Sequence, residues 1–255
     1  MIRPRFIPVM LIEQRQAVKT QQFKNPTYIG DPVNTTRIFS EKGVDELIVL
    51  DIAATQKREP LDVSFISRIA EEAFMPFSYG GGIRTFNDAQ RLFEIGIEKV
   101  ILGWAGDETL ELMNEIAHVF GVQAISVCVD VSSATKVVKK NKKDGKHIEL
   151  RSDAAVVVQR IQNSGSGEII LQNVDFDGMM TGMDIELITQ ICESARVPVV
   201  ALGGAGSIDH MAEAVVSGAS AVASGSAFVF HDAERAVLIN YPTDLELERC
   251  FGKHT

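Results

Sequence analysis

Two turns in the C-terminal part of the chain have the make-up of an anion site. Gly203-Gly204-Ala205-Gly206 and Ser224-Gly225-Ser226 each close a short apolar run. Glycine there lets a phosphate approach backbone N–H groups, and the following helix presents its positive dipole end. Glycines that only make tight turns are the plainer reading of the same residues. Gly80-Gly81-Gly82 repeats the pattern earlier in the chain. A carboxylate, Asp130, closes another apolar run, where it can act as a general base or simply cap the turn and hold water. At the opposite ends of four runs stand Arg5, Glu46, Lys99 and Glu168, two cations and two anions.

The elements that position these residues follow from an internal repeat. Met75 to Ala105 can be laid over Val197 to Ala227 without a gap, a shift of 122 residues, and the same shift carries Glu46 onto Glu168. Each half alternates strand and helix patterns, so four βα units per half make eight. The strands expected are Phe6 to Leu11, Glu46 to Asp51, Pro76 to Tyr79, Lys99 to Leu102, Ala124 to Asp130, Glu168 to Gln172, Pro198 to Leu202 and Ala221 to Ala223. These runs read as continuous apolar segments without strict alternation, the pattern of a parallel sheet buried on both faces. A single (β/α)8 TIM barrel over residues 1–255 is expected, with a hairpin inserted after strand five at about 136–150 around Asp144-Gly145. The hairpin's lysines read as a solvated loop or as a contact to a negatively charged substrate.

With 255 residues, 45% of them apolar, the chain can bury one large core. The net charge of −9 argues against nucleic-acid or anionic-membrane partners but leaves room for a phosphorylated small molecule. Three scattered cysteines fit a reduced, cytoplasmic protein. No apolar stretch reaches the roughly 20 residues of a membrane span. There is no nucleophile–base pair and no His/Asp/Glu ligand cluster, so neither metal nor cofactor is expected, and His210, His231 and His254 read as surface or cap residues.

Active sites of such barrels form at the C-terminal ends of the strands, while the N-terminal ends usually concern stability. Strands one and five are equivalent in the repeat, yet their ends read Val9-Met10-Leu11 and Cys128-Val129-Asp130, so one carboxylate is matched by a leucine. Beside the first-half glycines, Trp104 takes the place of a small polar residue and can stack on a ligand or fill the mouth.

In order and spacing, Gly30-Asp31-Pro32-Val33, Asp45-Glu46-Leu47 leading to Leu50-Asp51-Ile52, Gly80-Gly81-Gly82-Ile83, Val129-Asp130, Asp175-Phe176-Asp177-Gly178 and Gly203-Gly204-Ala205-Gly206 resemble the HisF family. This family is the cyclase subunit of imidazole glycerol phosphate synthase, and the likeness covers nearly the whole chain. The resemblance implies a glutamine amidotransferase synthase subunit in a heterodimer with a HisH-like glutaminase docked at the barrel bottom. In the histidine pathway, ammonia and a phosphoribulosyl ribotide become imidazole glycerol phosphate and an aminoimidazole carboxamide ribotide. Family chemistry uses aspartates at the ends of strands one and five as an acid–base pair; here Asp130 remains and Leu11 stands in the other place. Gly103-Trp104 replaces an Asn-Thr pair that holds one phosphate, and Leu202 replaces a serine near the other. By the same resemblance Lys19, Asp177, Gly178, Gly204, Gly225 and Ser226 retain one phosphate site, with Gly82 as the first-half cradle partner.

The family also carries two cations and two anions at the barrel bottom as the gate of an ammonia channel, and Arg5, Glu46, Lys99 and Glu168 match it at every position. Asp45, Glu98 and Gln123 stand where the glutaminase contacts and gate neighbourhood are expected, and Ser78 stands near the channel. An ion-pair plug is the plainer reading, although buried ion pairs stabilise weakly and a complete ring suits a function better. An altered top over a preserved bottom resembles a divergent branch found with surface-polysaccharide genes, which works with a glutaminase and a sugar amidotransferase. Leu238-Ile239-Asn240-Tyr241-Pro242 looks like its tail. The expectation is an ammonia-relaying subunit for lipopolysaccharide or O-antigen sugar amidation, its bound phosphate a vestige or a ligand that opens the gate. The alternatives are a cyclase in which Glu13 or Asp51 replaces the missing aspartate, and a scaffold that only activates the glutaminase.

Overall fold

The computed structural model describes residues 4–54, 60–132, 135–140, 147–231 and 235–251. The Asp144-Gly145 turn and His254 lie outside them. The chain runs through β1 (Arg5–Glu13), β2 (Gln16–Gln21), β3 (Lys24–Gly30), α1 (Pro32–Glu41), β4 (Leu47–Asp51), α2 (Val63–Ala70), β5 (Phe77–Gly80), α3 (Phe86–Glu94), β6 (Lys99–Gly103) and α4 (Asp107–Phe120). It continues through β7 (Ile125–Val131), β8 (Lys136–Lys140), β9 (His147–Asp153), α5 (Ala154–Asn163), β10 (Glu168–Asn173), α6 (Ile185–Ser194), β11 (Val199–Leu202), α7 (Ile208–Val216) and β12 (Ala221–Ser224), then β13 (Phe230–His231), β14 (Ala236–Val237) and α8 (Asp244–Phe251). Strands β1, β4, β5, β6, β7, β10, β11 and β12 are parallel and hydrogen-bonded in that order, and the pairing of β12 with β1 closes the (β/α)8 barrel.

Two apolar layers hold it together. One fills the space between barrel and helices, with Phe6, Leu47, Tyr79, Leu92 and Ile116 all buried. The second lies inside the barrel and includes Ile7, Val9, Leu11, Ile48, Ile101, Ile170, Val200 and Leu202. Seven of the strands bury both faces with mainly apolar side chains, as a sheet covered by helices must. The fifth barrel strand departs from the expected pattern: Ile125-Ser126-Val127-Cys128-Val129-Asp130-Val131 alternates strictly, and its valines are fully buried. Period-two alternation then turns Ser126, Cys128 and Asp130 to the barrel interior.

The repeat is visible in the elements. Helices α3 and α7 are both nine residues long and 122 residues apart, capped at equivalent positions. Thr85 accepts from the Asp88 amide at 3.1 Å and Ser207 from the His210 amide at 3.2 Å. Each cap satisfies a helix-end donor that would otherwise lack a partner.

Two hairpins decorate the C-terminal side. β8 and β9 pair antiparallel after the fifth barrel strand. The β2–β3 hairpin after strand one has no counterpart among the expected elements. Its turns place Gln14-Arg15 and Gln22-Phe23 at positive φ, between 50° and 61°. Tight hairpins require that conformation, which Asn-Gly or Asp-Gly usually announces, and here neither turn has a glycine to reveal it.

Candidate functional site

At the C-terminal mouth a small pocket opens between β1, β2 and the turns that follow β10, β11 and β12. Lys19, Asp177, Gly178, Gly204, Gly225 and Ser226 all line it, so the tertiary fold gathers these predicted residues in one place. Gly204 sits at φ +99°, and a Cβ there would overlap the Gly182 carbonyl. At Gly225 a Cβ would overlap the Lys19 ammonium, so glycine there leaves that amine its present position. Lys19, 4% exposed, donates to the Val9 carbonyl and is carried on β2. Asp177 fastens that hairpin: its carboxylate accepts from the Thr20 hydroxyl at 3.1 Å, and its carbonyl from the Gln22 amide at 2.9 Å.

Burial sets the charge of this pocket. It lowers Lys19 to about 7, against the opposing pull of Asp177. Burial raises Asp177, and Lys19 and the Thr20 hydroxyl draw it back. A pocket of backbone amides with a lysine that is half charged near neutrality can take an anion and pay for it by recruiting a proton. Binding of inorganic phosphate, followed by titration calorimetry, should therefore weaken from about pH 7.5 to 9, approaching tenfold per pH unit, because bound anion must protonate Lys19 there. Lys19→Met should weaken binding at pH 6.5 and flatten that slope; an unchanged slope would remove Lys19 from the site.

Asp130 ends the fifth barrel strand in the same mouth. Burial raises its carboxyl to about 7, the Cys128 thiol opposing and Asp177 adding to the rise. Cys128 Sγ lies 3.8 Å from Asp130 Oδ1 and 3.6 Å from Gln172 Oε1. Leu11, 9% exposed, occupies the equivalent end of strand one and packs into the inner apolar cluster. Asp51 caps its own turn, its carboxylate accepting the Ala53 and Ala54 amides, both at 3.0 Å. Trp104 is buried in the apolar layer between barrel and helices, with the Arg160 guanidinium carbon 5.4 Å from its ring centroid. Gly82 is set apart from the pocket, and a Cβ on it would press on Ala54 and Leu61.

At the N-terminal end the four predicted charges meet. Arg5 pairs with both Glu46 and Glu168. Lys99 Nζ lies 2.9 Å from Glu168 and 3.4 Å from Glu46. Two hydroxyls complete the ring, Ser78 donating to Glu46 at 2.7 Å and Ser126 to Glu168 at 2.9 Å. Burial alone would raise Glu168, but Lys99 and Arg5 together outweigh it and hold the carboxyl below its usual value. Asp45 accepts the Phe6 amide at 2.9 Å, while the Tyr241 hydroxyl donates to the Phe6 carbonyl at 2.9 Å, so the C-terminal tail braces strands β1 and β4 beside the ring. Glu98 and Gln123 are exposed on the same face, as are Phe74 and Val122, 86% and 46% exposed.

A pocket with a glycine cradle and a buried lysine at one barrel end, and a four-charge ring at the other, agrees with what the whole sequence matches. Residues 5–234 fit the family model described as "Histidine biosynthesis protein". A protein of Leptospira borgpetersenii named "Putative imidazole glycerol phosphate synthase subunit HisF" is 40% identical over 98% of this chain and 100% of its own. The chain belongs to the HisF family. Other HisF relatives include "Putative imidazole glycerol phosphate synthase subunit hisF2" of Pseudomonas aeruginosa, 41% identical over 95% of this chain and 97% of its own. "Imidazole glycerol phosphate synthase subunit HisF" of Exiguobacterium sibiricum is 36% identical over 91% and 92%.

Within this HisF barrel, sequence reasoning passes over Ser126, which contacts Glu168 of the ring, and Cys128 and Gln172, which contact each other beside Asp130. The strict alternation of the fifth barrel strand is the signal that would have found the first two. Among the described residues no group of three or more His, Cys, Asp or Glu side chains is placed to hold a metal ion, and no helix is long and apolar enough to cross a membrane.

Proposed function

We propose that this HisF-type subunit receives ammonia from a HisH-like glutaminase and passes it up the barrel to a sugar amidotransferase that amidates a surface-polysaccharide sugar. One observation carries the reading: Leu11 stands where Asp130 needs an acid–base partner, above a charge ring complete in all four members. A leucine neither gives nor takes a proton, and a positioned acid or base contributes about 10² to 10⁴ in rate. Losing that contribution at the mouth while keeping a costly buried ring at the bottom fits a protein that still accepts ammonia but does no ring closure. Phe74 and Val122, two exposed apolar side chains on the same face as Glu98 and Gln123, give the bottom face apolar area that a partner protein could cover. The mouth pocket then holds a phosphate as a regulatory ligand or as a relic of the ancestral substrate.

The reading is tested with the purified chain, phosphoribulosyl ribotide and excess ammonium at alkaline pH, which bypasses any glutaminase. The expected result is no consumption of the ribotide, together with faster glutamine hydrolysis by the glutaminase when this chain is added. Turnover of the ribotide would overturn it and favour the second reading, the cyclase of histidine biosynthesis. That second reading draws on the relatives named imidazole glycerol phosphate synthase subunits and on the retained phosphate cradle.

A further inference from the structure

The barrel interior is lined by apolar side chains directly above the charge ring. Two residues along each contributing strand from Arg5, Glu46, Lys99 and Glu168 stand Ile7, Ile48, Ile101 and Ile170, none more than 3% exposed. Four isoleucines at one level leave no polar partner for a molecule crossing the centre. The wall formed by β7 and β10 differs. Its register sets Ser126 beside Glu168, Cys128 beside Ile170, and Asp130 beside Gln172. The inward side chains of β7 thus run Ser126, Cys128, Asp130, from the ring to the mouth, with Cys128 at the isoleucine level. The hydroxyl of Ser126 touches Glu168, and the Cys128 thiol reaches both Asp130 and Gln172.

We propose that ammonia crosses the isoleucine layer along the β7–β10 wall, handed from Ser126 to Cys128 to the Asp130–Gln172 pair, with Cys128 as the positioning residue of the crossing. This rests on the ammonia-relay reading above and names its route. Alternate residues of a strand are about 6.6 Å apart at about 3.3 Å per residue. One step along the column is therefore no longer than two hydrogen bonds of about 3 Å, and at its upper end the thiol already touches Asp130 and Gln172, so ammonia leaving Cys128 takes the place of one of these contacts. Ammonia has a lone pair and three N–H groups, and the thiol offers a weak donor and a weak acceptor. A weak partner suits transit, because a molecule held tightly at the midpoint would not leave. Burial, with Asp130 adding to it, raises Cys128 well above its usual value and keeps it a thiol, so the midpoint presents no negative charge to retain ammonium.

The test uses the intact complex in a cell that makes the amidated polysaccharide, with the chain's own gene replaced by Cys128→Val or Cys128→Ser and the amidated sugar measured. Valine keeps the shape and removes the hydrogen-bonding atom. Glutamine-dependent product should fall about fivefold with valine, the equivalent of one neutral hydrogen bond, and return with serine. Excess external ammonium should restore it in the valine strain, and an unchanged urea midpoint of the purified valine variant separates a lost hand-over from a misfolded barrel. Equal product from the valine and unmodified strains at low ammonium overturns the route and leaves the relay reading standing. Absence of dependence on the unmodified chain itself overturns both.

Discussion

Leu11→Asp should raise the rate of ribotide consumption with excess ammonium by about 10² over the unmodified chain, the lower end of what one positioned acid or base contributes. The substitution sets a second carboxyl at the end of strand one, opposite Asp130, whose own carboxyl burial raises to about 7. Two carboxyls in one buried mouth do not both ionise near neutrality, so one is held as an acid while the other serves as base. The gain stays at the lower end because Leu202 lines the pocket and Gly82 stands outside it, leaving a single anion cradle. Replacing a 9%-exposed leucine with a carboxyl also costs about 3 kcal/mol of stability, so rates are to be compared well below the variant's unfolding temperature. Equal rates for the two proteins, both measurable, would show that another group already does the work of the missing aspartate. Glu13, at the end of β1, would then be the first residue to replace.

Lys99→Met should destabilise the protein by about 3 to 5 kcal/mol at pH 7, read as a fall in the urea midpoint at constant slope. Lys99 is the cation that bridges Glu168 and Glu46 beside Arg5, and both carboxylates are nearly buried. Without it, two anions share one guanidinium in a poorly solvated site. The pH dependence has a definite sign. In the unmodified chain Glu168 is held below its usual value of 4.5, so its contribution is present above that pH and is lost as pH falls through the lower folded value. In the variant the carboxyl rises instead, because desolvation is no longer outweighed. The deficit should therefore shrink as the pH is lowered from 7 towards 4, where protonation relieves the unpaired charge. A variant as stable as the parent at pH 7, or a deficit constant with pH, would mean that the ring is solvated and not a buried network.

What could be read from the chain alone was what repeats and what alternates. The 122-residue shift, the eight apolar runs and their turn residues determine a (β/α)8 barrel, because a strand buried on both faces must be apolar throughout and must end where the chain turns. The same positional logic separates Asp130 and the glycines from the four charges, since runs have a beginning and an end. The loss at Leu11 needs only the comparison of the two halves. Tertiary structure decided what depends on contacts between distant segments. Lys19 enters the mouth pocket because a hairpin without glycine signals folds back and is held by Asp177, more than 150 residues away in the chain. Gly82 carries the same local sequence signal as Gly204 yet stays apart from the pocket, with Ala54 and Leu61 packed against it. Asp51, next to the mouth in sequence, spends its carboxylate on its own turn. The column of Ser126, Cys128 and Asp130 acquires meaning only when β10 lies alongside and sets Glu168 and Gln172 against it, since a single strand's alternation gives the side each residue faces but not what faces it.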